Sequence, residues 1–151
     1  GRVERALASV GAAALADRPM SALSGGERML VHLARVLVGE PGVILADEPV
    51  ANLDPRHQLQ VMAVLADFAA DGGTVVTVLH DLTLAARFCS RAVLLSNGTV
   101  LAEGAPAAVL TPERLGAAYG VRMLRGEHDG QTWVIPWQAD AAAECGPAGG
   151  R

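Results

Sequence analysis

Val43-Ile44-Leu45-Ala46-Asp47-Glu48-Pro49 constrains this chain more than any other stretch, because four apolar residues run straight into two adjacent carboxylates and a proline. Pro41-Gly42 punctuates the other end. A run so short, closed by breakers on both sides, reads as a fully buried strand of a parallel sheet rather than a helix. Asp47 and Glu48 then stand at its C-terminal edge, where open α/β sheets bind ligands. An acidic pair at a strand end is often no more than solvated surface, so its meaning depends on what accompanies it.

Two further stretches accompany it. Upstream lies Ser24-Gly25-Gly26-Glu27, which fits a capping box (S-x-x-E) ahead of the helical stripe Leu30, Leu33, Ala34 and Leu37. A cap alone does not ask for two consecutive glycines; these remove side chains where helix N-terminal N–H groups meet an anion. Downstream comes Ala51-Asn52-Leu53-Asp54. A helix and a second apolar, β-branched strand, Thr74 to Leu79, then deliver His80 to the same sheet edge as Glu48.

Taken together, the chain resembles the nucleotide-binding subunits of ABC transporters. Ser24 to Glu27 is similar to their signature motif, Val43 to Glu48 to Walker B, Asn52 to Asp54 to the D-loop and His80 to the switch histidine. Leu30 and Arg28 depart from the arginine and glutamine usual just after the signature. The resemblance implies an α/β fold, a partial P-loop NTPase domain with a mostly parallel sheet flanked by helices and the end of a helical subdomain before it. It implies ATP and Mg²⁺ as ligands, with Asp47 on the metal, Glu48 activating the attacking water and His80 donating to the γ-phosphate. Ser24, Gly25, Gly26 and Glu27 would complete the site of a second, identical subunit, with Asp54 linking the two sites. Transmembrane permease subunits, a substrate-binding protein and a cytoplasmic position on the inner face of the membrane follow from the same resemblance. Val109 to Leu115 and Tyr119-Gly120-Val121 resemble the C-terminal region of ATPases that drive import of iron-siderophore, haem or cobalamin complexes.

Composition narrows the alternatives. All basic residues, 12 in number, are arginine, and a P-loop (G-x-x-x-x-G-K-[ST]) needs a lysine, so these residues contain none. With Gly1 in first place, the expectation is the second part of a larger domain, unable to bind nucleotide alone. A length of 151 residues, 51% of them hydrophobic, suits one core rather than two domains. The net charge of −4 provides no basic field and argues against the rival reading, an ABC ATPase of DNA repair or of ribosomes. No apolar run approaches the roughly 20 residues that span a bilayer, and Arg2, Glu4 and Arg5 interrupt any leader-like start. Cys89 and Cys145 fit no zinc spacing and suit a reduced, cytosolic compartment.

The remaining segments read as scaffold. Val3, Leu7, Val10 and Ala14 recur at helical spacing over residues 2–16. Asp54-Pro55 opens a helix with Leu59, Met62, Leu65 and Phe68 or Ala69 on its core stripe and His57 on its solvated side. Asn97-Gly98 signals an antiparallel edge hairpin. Thr111-Pro112-Glu113 starts a short helix running to about Tyr119, and Val121–Leu124 with Thr132–Ile135 can form a last hairpin in which Trp133 and Trp137 are packing anchors. The organisation expected is residues 1–40 as the end of a helical subdomain, 41–137 as the catalytic-core remainder, and 138–151 as a disordered Ala/Gly/Pro-rich tail.

Overall fold

The structure, a computed structural model, describes residues 1–139. They divide at His80/Asp81 into two compact units.

In the first unit, α1 (Arg2–Ser9) is shorter than its apolar stripe predicts. Gly11 adopts φ 71° and ends it, and a 3₁₀ turn, Ala13–Leu15, follows. The positive φ favours glycine there, and the Gln60 amide, donating to the Val10 carbonyl at 2.9 Å, lies where a Cβ on Gly11 would meet it at 2.8 Å. Ala6, Leu7, Val10 and Ala12 are buried, whereas Val3 is exposed. α2 (Gly25–Val38) begins at the expected capping box. It buries Leu30, Leu33 and Ala34 and packs against α1 and against α3 (Pro55–Ala70). α3 starts with Asp54 as cap and Pro55 in its first turn, as read, but its core stripe is Val61, Met62, Val64 and Leu65, and Leu59 is 40% exposed.

β1 (Val43–Asp47) and β2 (Thr74–Val78) pair in parallel from Val43 with Thr74 through Asp47 with Val78. The parallel pairing was legible; full burial was not. Ile44 is buried, but Val43, Leu45, Val76 and Val78 are exposed, Leu45 at 78%. Alternation along both strands shows one face covered and the other open.

In the second unit, Asp81 caps α4 (Leu82–Phe88). β3 (Ala92–Ser96) and β4 (Thr99–Gly104) form the hairpin predicted from Asn97-Gly98, both at positive φ. After the short α5 (Pro106–Val109), Thr111 caps α6 (Pro112–Tyr119), which Gly120 closes in the left-handed conformation. β5 (Val121–His128) and β6 (Gln131–Ala139) make a hairpin longer than predicted, around a second positive-φ turn, Asp129-Gly130. Leu94, Val109, Leu110, Leu115, Met123 and Val134 form the core. The Thr83 hydroxyl clasps β6 by donating to the Val134 carbonyl (2.8 Å) and accepting its N–H (3.0 Å). Trp133 lies over Gly126 as an anchor, but Trp137 is 59% exposed.

Among the described residues, the strands are joined as three two-stranded sheets, one parallel and two antiparallel, rather than as one mostly parallel sheet. β6 takes in Gln138 and Ala139, the first residues of the expected tail, and the rest of that tail lies outside the described residues.

Candidate functional site

β1 ends at Asp47, and the next residue leaves the strand sharply. Glu48 adopts φ 46°, its N–H donating to the Val78 carbonyl at 3.2 Å. Left-handed backbone on a side chain of this kind costs about 1–2 kcal/mol and redirects the carboxylate. There it meets His80, two residues beyond the parallel partner β2. His80 Nε2–H donates to Glu48 Oε1 at 2.7 Å. Both are open to solvent, with side-chain exposures of 80% for His80 and 43% for Glu48. The two residues assigned to catalysis from the sequence are therefore in direct contact. Asp47 stands beside them, also exposed.

A second constellation surrounds the start of α2. Ser24 Oγ accepts the Glu27 N–H at 3.2 Å, and Glu27 returns a carboxylate oxygen to the Ser24 N–H at 2.8 Å. Arg18 pairs with the other Glu27 oxygen at 3.2 Å. The Ser24 N–H, followed by the Ser24 hydroxyl and Arg18, holds the Glu27 carboxyl below the usual carboxylate range. Ser24 and Gly25 are exposed and nothing crowds Gly25, so a ligand or a second protein can reach this turn. Gly26 is different. It is buried, and a Cβ there would meet the His57 ring at 2.3 to 2.6 Å.

Asp54 belongs to this second group through the same histidine. Its Oδ1 accepts the His57 backbone N–H at 3.0 Å and its Oδ2 faces His57 Nδ1 at 2.6 Å. The backbone N–H is the larger cause, and the ring the next, of an Asp54 carboxyl held below its ordinary value. His57 is thus not a solvated surface residue: its side chain is only 20% exposed. Sequence reasoning missed it, although its i+3 spacing from the cap residue Asp54 was a usable signal.

Among the described residues no group of three His, Cys, Asp or Glu side chains could cage a metal ion. A single exposed carboxylate such as Asp47 suits Mg²⁺, which keeps several waters and takes one or two carboxylates beside phosphate oxygens. A cleft of about 280 Å³ lined by Arg2, Arg5, Glu40, Asp67 and Asp71 contains none of these motif residues. No helix among the described residues is long and apolar enough to cross a membrane.

Comparison with known proteins agrees with the motifs. Residues 1–51 match the family described as ABC transporter. The hemin import ATP-binding protein HmuV of Pseudomonas aeruginosa is 50% identical over 131 residues, 83% of this chain and 51% of that protein. Among solved structures, an ABC transporter in an inward-facing conformation superposes with a TM-score of 0.82 at 29% identity, over 90% of this chain and 56% of that one. The dimeric ATP-binding cassette MJ0796 bound to ADP and Pi gives a TM-score of 0.61 at 34% identity, over 70% of this chain and 46% of its own. The chain spans about half the length of the curated relatives it matches. Fold, motif order and sequence similarity agree: these residues match the ATP-binding domain of ABC transporters.

Proposed function

We propose that this chain is part of an ATP-hydrolysing subunit of an ABC importer, with a haem-type metal chelate as its cargo. The observation that carries the reading is the Glu48–His80 contact of 2.7 Å at the C-terminal end of the parallel pair β1–β2. Similarity to a hemin import protein supports the cargo.

Phosphoanhydride hydrolysis needs an oriented water and donors around the γ-phosphate. Glu48 orients and deprotonates the water. In the described pair, the His80 Nε2–H occupies Glu48 Oε1. A γ-phosphate oxygen is the competing acceptor for that same N–H, and when it takes the bond, Glu48 Oε1 is left to accept from water. His80 therefore senses nucleotide and releases the base in one exchange of hydrogen bonds. Asp47 would hold Mg²⁺, which when bound neutralises phosphate oxygens. The exposed Ser24–Gly25 turn, together with Gly26 and Glu27, completes the site of a second copy, with Asp54 at the junction. Permease subunits and a substrate-binding protein complete the transporter, and the ATPase sits on its cytoplasmic side. These 151 residues contain no lysine, so nucleotide held through a P-loop requires residues beyond them.

The test is Glu48→Gln in the whole transporter. ATP binding should persist while turnover falls by about 10²- to 10⁴-fold, the range for loss of a general base. Unchanged hydrolysis would remove Glu48 from this role.

A further inference from the structure

We propose that His57 is a positioning residue that locks the signature turn and the Asp54 loop into one rigid edge; the proposal rests on the ATPase reading and adds a residue to it. An N-cap aspartate needs one carboxylate oxygen for the helix. Asp54 uses both on His57, Oδ1 for the backbone N–H (3.0 Å) and Oδ2 for ring Nδ1 (2.6 Å), which fixes the plane of its carboxylate.

The same ring is packed against Gly26, where the atoms a Cβ would strike are His57 Cγ, Cδ2 and Nδ1, at 2.3 to 2.6 Å. With His57 in place, no larger residue fits at position 26. The ring is thus held from two sides and joins Asp54 at the start of α3 to Gly26 in the first turn of α2. Neighbouring side chains extend the pattern. Gln58 donates to the Val50 carbonyl at 3.3 Å and Gln60 to the Val10 carbonyl at 2.9 Å. The opening turns of α3 therefore tether the loop after β1, the signature turn and the end of α1. Donors meant for a transferring phosphate must be held to within about 0.5 Å by supporting groups, and His57 is the side chain that touches both segments.

An interaction that matters when the second copy closes on the nucleotide, and not when nucleotide first binds, lowers kcat and leaves KM. In the whole transporter, His57→Ala and Gly26→Ala should each lower kcat at least about ten-fold with the KM for ATP within about two-fold. His57→Asn keeps a donor near the Nδ1 position without the ring, and His57→Phe keeps the ring without the donor, so each should recover part of the loss. A kcat for His57→Ala within two-fold of the parent, or a loss carried wholly in KM, overturns the proposal. A second readout needs no hydrolysis. In the same whole transporter, His57→Ala should speed hydrogen exchange at the Glu27 and Arg28 amides at least about ten-fold and leave Leu115 unchanged. Unchanged exchange at Glu27 and Arg28 also overturns it. If exchange responds while the parent transporter hydrolyses no ATP, the ATPase reading fails and the tether stands.

Discussion

Glu48 carries two burdens on one residue: its carboxylate bonds His80 at 2.7 Å and its backbone sits at φ 46°. Strain at such a position persists only where surrounding structure imposes it, here through the Glu48 N–H bond to Val78. Glycine relieves that strain and alanine does not, so Glu48→Gly should be more stable than Glu48→Ala by about 1 kcal/mol in urea denaturation. Equal stabilities would show that the backbone is relaxed. The acidic residues of the second constellation give a pH signature. Glu27, through the Ser24 N–H, and Asp54, through the His57 N–H, titrate below their ordinary values in the folded chain. Their contributions are complete above the usual carboxylate range and fade as pH falls through that range and below it. Asp54 is exposed and Glu27 only half-buried, so solvent screens both and the slope is shallow. Glu27→Gln should flatten it further, as read from denaturation midpoints across that range. The residue types at the two clusters were legible because their spacing has a mechanism. His57 was passed over, because its i+3 spacing from the cap residue Asp54 points to a contact but is shared by rings that face water.

The elements follow their punctuation closely. Ser24, Asp54 and Thr111 each accept an N–H three residues on and start a helix where the sequence places one, and Asp81 does the same ahead of α4. Asn97-Gly98 makes its hairpin for the same local reason: its φ values of 49° and 73° are those the turn demands. Periodicity was the weaker guide. The stripe through Val3 and Ala14 predicted one helix, but Gly11 breaks it under the Gln60 side chain, a contact from 49 residues away. Leu59 likewise yields its place on the buried face to Val61 and Val64. In the second unit, Leu115 on α6 is fully buried among Leu94, Val109 and Met123. Leu115→Ala should cost about 2–5 kcal/mol of that unit's stability, measured as a lowered denaturation midpoint. A loss below about 1 kcal/mol would mean that the cavity closes without strain.

Across the molecule, the apolar surface is unevenly spent. One face of β1–β2 is covered and the other presents Val43, Leu45, Val76 and Val78 to solvent. Contiguous apolar surface of this sort favours association. Leu45 is 78% exposed, so Leu45→Thr should change stability by no more than about 0.5 kcal/mol while reducing self-association of the chain, seen by light scattering. Undiminished association would place the adhesive surface elsewhere. The fully buried strand read from the sequence rests on the assumption that a continuous apolar run is covered on both faces. That run is present in β1, yet only the Ile44 side is covered.

The sequence by itself determined what is local: helix starts through capping side chains, turns through Asn-Gly and Gly, and the order of motifs that identifies the family, since each depends on residues a few positions apart. Only the tertiary structure decided which faces are covered, that Glu48 and His80 touch across two strands, and that His57 joins Asp54 to Gly26. These contacts close over tens of residues, and their partners are selected by packing and hydrogen-bond geometry in space, which no spacing along the chain encodes.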